Sequence, residues 1–240
     1  MTSLAAIVTG AGRGIGAAIA RRLAADGFTV VCADQDEDAA AHTAKECGSS
    51  SLGIAVDVSE VDQCERLVEQ TFARLGSVEV LVNNAGINRD AMLHKMTDEQ
   101  WHKVIAVDLS GVFFLTRAAA RVMREQRRGR LVNISSASWQ GNIGQANYAA
   151  AKAGVVGLTL TAAKELARYQ VTANAICPGF IGTPMTSAIP EKIYQQQVDK
   201  IPIGRVGRPE DVANVVSFLA SEDAAYVTGE VINVGGGYRI

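Results

Sequence analysis

Tyr148 and Lys152 stand four residues apart at the start of a helical pattern, so their side chains leave one face a single turn apart. A phenol with an ordinary pKa of about 10 is a poor base at neutral pH, and an adjacent ammonium favours its phenolate. The pair is a proton-transfer device in kind, although Tyr-x-x-x-Lys alone is common by chance. Its position gives it weight. It follows Asn133-Ile134-Ser135-Ser136 at the end of a β-branched run, and strand ends near a topological switch are where open α/β sheets place their chemistry.

A second group lies near the start of the chain. A short apolar strand runs into Thr9-Gly10-Ala11-Gly12-Arg13-Gly14-Ile15-Gly16 and then a helix. Glycines here permit a tight turn, close backbone approach to a pyrophosphate, and close packing of helix on strand, while the helix start offers free N–H groups to an anion. Asp34 ends the next strand, about 20 residues on, where a carboxylate can accept from an adenosine ribose. A 2′-phosphate there would be repelled, so Asp34 favours NAD. Arg13 pulls the other way, since it could pair with a phosphate, and NADP stays possible.

These groups need a scaffold, and the hydrophobic pattern supplies one. Strands are expected at Ala5–Thr9, Thr29–Ala33, Leu52–Val56, Val78–Val82, Leu131–Ile134, Val171–Ile176 and Val231–Val234, each short and apolar as a strand buried on both faces should be. Between them Ile15–Ala25, Glu37–Glu46, Glu60–Leu75, Asp98–Glu125, Tyr148–Arg168 and Pro209–Ala220 read as helices, the last opened by Pro209 with Glu210 and Asp211 in its first turn. Alternating strands and helices give stacked βαβ units. The expected fold is therefore α/β: a single-domain Rossmann-type doubly wound parallel sheet of seven strands spanning 1–240, with helices on both faces. The stretch 178–208 has three internal prolines and no clear period. Loops of that length are usually lids or binding segments.

Composition narrows the function classes. Hydrophobic residues make up 48% and charged residues 20% of the 240, which suits an ordinary globular domain and not a disordered or fibrous chain. A net charge of −2 argues against nucleic acid as partner. Arg121, Arg124, Arg127, Arg128 and Arg130 cluster locally. They read first as a solvated helix end; Arg127, Arg128 and Arg168 could alternatively flank the site and receive the acidic groups of a carrier protein or coenzyme A. Cys32, Cys47, Cys64 and Cys177 are scattered, with no C-x-x-C pair and no histidine at ligand spacing, so no metal site is expected and a reducing cytoplasm fits best. No targeting signal or membrane span is expected.

With these motifs in order, the sequence resembles the short-chain dehydrogenase/reductase family over essentially its whole length. The resemblance is carried by the Thr9–Gly16 turn, Asp57-Val58, Asn83-Asn84-Ala85-Gly86, Ser136 with Tyr148 and Lys152, and Pro178-Gly179 leading to Thr183. It implies Tyr148 as general acid/base, Ser136 as hydrogen-bond partner of the substrate oxygen, and Lys152 binding the nicotinamide ribose while lowering the Tyr148 pKa. It further implies that Asp57 and Val58 hold the adenine, that Asn83, Ala85 and Gly86 line the cofactor trough, and that Ile181 and Thr183, after Pro178 and Gly179, meet the nicotinamide carboxamide. Ser135 and Ser136 point to opposite sides if the strand persists that far; the family spacing favours Ser136. The helix from Tyr148, with Ala149, Ala150, Ala151, Ala153, Gly154 and Gly157, is expected to pair with its copy in a homotetramer, as the family's equivalent does.

One position departs from the pattern. The family usually has Asn where this chain has Asp108, and that Asn is held to support a water relay to the active-site lysine. An ionised carboxylate only accepts hydrogen bonds, so a modified relay around a working enzyme is expected.

Within the family the nearest likeness is to 3-oxoacyl-thioester reductases, carried by Gly86–Asp90, Gly144–Gly154 and Val227–Glu230. These stretches lie beside the machinery, not in the substrate pocket. An NAD-dependent secondary or cyclic alcohol dehydrogenase is the alternative, and a non-catalytic redox sensor is the reading from another class, although Ser136, Tyr148 and Lys152 are all present. Extended epimerases and dehydratases would need a larger C-terminal domain.

Overall fold

The computed structural model describes residues 4–183, 186 and 191–238. Seven strands, β1 (Ala5–Thr9), β2 (Thr29–Asp34), β3 (Leu52–Ala55), β4 (Val80–Asn83), β5 (Gly129–Ile134), β6 (Val171–Pro178) and β7 (Val231–Val234), form one sheet in the order β3-β2-β1-β4-β5-β6-β7. All six pairings are parallel. The β-branched runs become strands because both of their faces are covered: β1, β4, β5 and β6 are buried along their whole length. The edge strands differ from that expectation. In β3, Leu52 and Ile54 are half-buried and the residues between face solvent, and β7 is only partly covered.

The helices are α1 (Gly14–Ala25), α2 (Glu37–Glu46), α3 (Val61–Leu75), α4 (Asp98–Ile105), α5 (Gly111–Gln126), α6 (Ala146–Leu166), α7 (Glu191–Val198) and α8 (Pro209–Ala220). They give the sheet two cores. On one face Ile19 and Leu23 of α1 meet Val212, Val216 and Leu219 of α8 over Val8, Val30 and Ile176. On the other, Leu67 of α3, Leu115 and Met123 of α5 and Leu166 of α6 cover Ile7, Leu81 and Leu131. Among the described residues no helix is long and apolar enough to cross a membrane.

Two features depart from the sequence expectation. The helix expected over Asp98–Glu125 is α4, then a π turn over Ala106–Ser110, then α5. Such single-turn bulges are rare and concentrate at functional sites; this one carries Asp108, fully buried. The segment 178–208 also holds helix α7, and a proline ahead of Glu191 is a helix-start signature. The base of the segment is tied down by a parallel bridge between Ile181 and Gly207 and by the Ile203 N–H on the Gly236 carbonyl. Residues 184–185 and 187–190 of the expected lid lie outside the described residues.

Candidate active site

Because every strand is parallel, the C-terminal ends of β1, β2, β4, β5 and β6 share one edge, and the chain reverses direction across the sheet between β1 and β4. The glycine turn sits at that switch. Gly10 has φ of +63°, and a Cβ on Gly16 would lie 2.0 Å from the Gly10 carbonyl oxygen, so α1 reaches the strand only without one. Helix α1 starts with no side-chain cap and no acid in its first turn, which leaves its N–H groups to an anion. Beside it the Gly12 N–H donates to Asp34 Oδ2 at 2.9 Å and the Asp36 N–H to Oδ1 at 3.1 Å. The carboxylate is thus held against the turn with lone pairs to spare, and the arrangement fits a dinucleotide's pyrophosphate and adenosine ribose. Arg13 is exposed.

Thr9 and Asn84 latch β4 to this turn. The Asn84 amide donates to the carbonyls of Thr9 and Gly10 at 2.9 and 3.2 Å, and Thr9 Oγ1 accepts the Asn84 and Ala85 N–H groups. Both residues belong to quoted motifs, but their latching role was not read from sequence. Asp57 is occupied by its own turn, accepting from the Ser59 N–H at 2.9 Å and hydroxyl at 2.6 Å, with Gln35 on its other oxygen. Val58 is buried, its carbonyl taking the Cys64 thiol. The Asn83 side chain turns inward, donating to Asn133 and Thr116 beneath the edge. Gly179 crosses Gly235 so closely that a Cβ would meet the Gly235 Cα at 2.7 Å. Ile181 is buried, and the Thr183 N–H donates to Thr186 Oγ1.

At the end of β5 the two serines separate. Ser135 is buried and its hydroxyl donates to the Lys152 carbonyl at 2.9 Å, whereas the Ser136 hydroxyl lies on the Tyr148 side and accepts from the Ser138 N–H. Lys152 Nζ lies 5.3 Å from the Tyr148 ring centre and donates to the Ile134 carbonyl at 3.2 Å. Asp108 Oδ2 is 3.2 Å from the same Nζ, and Asp108 Oδ1 accepts the Ile87 N–H at 2.9 Å. Gly86 must lack a side chain here, since a Cβ would meet Asp108 Oδ2 at 2.7 Å. Asn147 fixes the helix start: its amide donates to the Arg89 and Gln100 carbonyls, and its oxygen accepts the Tyr148 N–H at 2.8 Å. Sequence reasoning missed Asn147, because its partners are backbone carbonyls from distant segments.

Asp108 and Lys152 are buried and Tyr148 is half-buried. Burial pushes the Tyr148 phenol up, Asp108 adds to this, and the opposing pull of Lys152 and Ser136 does not overcome it. The expected lowering by Lys152 is present but outweighed, so the phenol ends above its ordinary value. Burial disfavours the Lys152 cation, yet Asp108 and Tyr148 raise it above its usual range. Burial likewise pushes Asp108 up, against Lys152 and the Ile87 N–H.

The arginines are elsewhere. Arg127, Arg128 and Arg168 stand where α5 and α6 return to the N-terminal ends of β5 and β6, at the sheet edge opposite the site. Arg128 pairs with Glu79, Arg127 donates to the Arg168 carbonyl, and Arg124 and Arg168 hold the Tyr169 hydroxyl. They do not flank this protomer's site. Cys32 and Cys47, scattered in sequence, pack in the same core and are free thiols. Among the described residues no three His, Cys, Asp or Glu side chains cluster as metal ligands would.

Comparison with known proteins matches residues 10–239 to a family described as enoyl-(acyl carrier protein) reductase. The chain is 48% identical to acetoacetyl-CoA reductase of Shinella zoogloeoides, covering 98% of both chains. It is 45% identical to 3-oxoacyl-[acyl-carrier-protein] reductase FabG of Thermotoga maritima, covering 98% of this chain and 97% of the relative. It is also 46% identical to human (3R)-3-hydroxyacyl-CoA dehydrogenase, over 99% and 96%. A dinucleotide turn at the switch point, a serine, tyrosine and lysine at one strand end, and end-to-end likeness to these relatives converge: the chain belongs to the short-chain dehydrogenase/reductase family and is an oxidoreductase that uses NAD(P) on a ketone or secondary alcohol.

Proposed function

We propose that the chain is a 3-oxoacyl-thioester reductase that prefers NAD. The observation that carries this reading is the full-length similarity to relatives named for acyl-CoA and acyl-carrier-protein thioesters, in a chain whose Ser136, Tyr148 and Lys152 converge. When bound, the nicotinamide supplies the hydride to the carbonyl carbon. Tyr148 Oη gives its proton to the carbonyl oxygen, and Ser136 Oγ holds that oxygen in line. Lys152 binds the nicotinamide ribose. The glycine turn from Gly10 through Ile15 to Gly16 and the α1 start take the pyrophosphate, Asp34 the adenosine ribose, and Asp57 and Val58 the adenine. Asn83, Ala85 and Gly86 form the trough floor, while Pro178, Gly179, Ile181 and Thr183 meet the nicotinamide end beneath a substrate lid over 178–208. Coenzyme A or an acyl carrier protein is the partner, and the setting is cytoplasmic.

Asp34 supports a second reading, since NAD suits oxidation of a secondary or cyclic alcohol better than biosynthetic reduction. A panel of acetoacetyl-CoA and cyclic ketones, each with NADH and NADPH, separates the two. Acetoacetyl-CoA with NADH is expected to give the highest kcat/KM. Tyr148→Phe should cut turnover about 10²-fold or more with cofactor affinity nearly intact, and retention of most turnover would refute the mechanism.

A further inference from the structure

Lys152 Nζ carries three N–H donors. One goes to the Ile134 carbonyl at 3.2 Å, and Nζ also stands 3.2 Å from Asp108 Oδ2 as an ion pair, outside hydrogen-bond geometry. Asp108 is equally constrained. Its Oδ1 takes the Ile87 N–H and its Oδ2 faces Lys152 Nζ, both side chains being buried. That approach is the one an ion pair of carboxylate and ammonium makes. An amide at 108 could keep the Ile87 contact through its oxygen, but its NH₂ would then face Lys152 donor against donor. The carboxylate therefore does something an amide cannot. It is held there by the π turn and by the space left at Gly86.

We propose that Asp108 is a positioning residue: it holds Lys152 directly, at ion-pair distance, and its negative charge beside that ammonium biases the site toward giving a proton to a ketone oxygen. This rests on Tyr148 being the proton carrier. The phenol is faced by Lys152 and Asp108, by Asp90 from the loop after β4, and by the neutral Ser136 hydroxyl. Lys152 is faced in addition by the Cys177 thiol of β6, which burial holds in its neutral form. Removing the Asp108 charge leaves Lys152 as the dominant charge on Tyr148, so the phenol should ionise at lower pH. Ketone reduction needs the phenol and fails as pH rises through its ionisation; alcohol oxidation needs the phenolate and rises through the same point. Both limbs should move the same way.

The test is Asp108→Asn, with pH–rate profiles in both directions. Both limbs are expected to shift toward lower pH by about one unit, with the KM for cofactor within about twofold. Asp90→Asn, farther along the loop and exposed, should shift them less. A second readout needs no turnover: the ultraviolet phenolate titration of cofactor-free protein, taken as the difference from Tyr148→Phe, should place Tyr148 above the ordinary tyrosine value of about 10 and lower in Asp108→Asn. Unmoved limbs, or a wild-type Tyr148 ionising at or below the ordinary value, would overturn the proposal. Should Asp108→Asn not fold, Asp108→Ser removes the same charge and is read by the same profiles and titration. Refusal of every ketone by the wild type would sink the functional proposal, whereas turnover with unmoved limbs sinks only the role of Asp108.

Discussion

A buried carboxylate and ammonium beside a half-buried phenol cannot titrate independently: Lys152 and Asp108 each move the other, and both move Tyr148. The cofactor end is simpler, because Asp34 acts alone. With one oxygen on the Gly12 N–H and the other on the Asp36 N–H, its charge is fixed where an adenosine ribose would lie. Replacing it with alanine is expected to lower kcat/KM with NAD and raise it with NADP, moving their ratio by about 10- to 100-fold, within the range of a single polar contact. An unmodified protein already preferring NADP would contradict this. Asp34, Ser136, Tyr148 and Lys152 were legible from sequence because chemistry at strand ends uses unusual residue types at fixed spacing. Thr9, Asn84 and Asn147 were not read as site-builders. They are ordinary polar residues that act on backbone groups up to 76 residues away, and only the tertiary fold brings those groups near.

At the level of elements, strand order and helix positions followed from the alternation of buried runs and amphipathic stretches, and boundaries moved by a few residues. The π turn was invisible because a one-residue insertion leaves the apolar period almost unchanged. Helix α6 shows how one residue secures an element. Asn147 is fully buried and ties the helix start to the Ile87–Asp90 loop and to α4. Asn147→Ala would strand two carbonyls and the Tyr148 N–H, each orphan costing about 1–3 kcal/mol if water cannot reach it. Partial relief by water at the loop side gives an expected loss of roughly 2–3 kcal/mol, seen as a thermal midpoint lower by several degrees. Turnover should fall more than stability explains, since Tyr148 loses its fixed start. A midpoint within one degree of wild type would show that the clamp is dispensable.

For the whole molecule, the exposed face of α6 is the feature the two internal cores leave unexplained. The small residues on this helix do not form one stripe. Ala151 is buried, and Gly154 lies against the Leu109 side chain, where a Cβ would come within 2.9 Å. Ala150 and Gly157, seven residues apart and therefore on one side, face outward with Leu160, and nothing lies within 4 Å of a Cβ at Gly157. A flat outward face of small residues lets a second helix approach closely, which is the packing the expected homotetramer would use. Gly157→Trp offers a clean test, because the protomer has open space there and its fold should tolerate the indole. Light scattering at micromolar concentration is expected to give a tetramer for the wild type and a smaller species for Gly157→Trp, with unchanged circular dichroism. A monomeric wild type would refute the assembly outright. A Gly157→Trp tetramer would mean that the chains pair through another face, leaving the α6 stripe as ordinary surface.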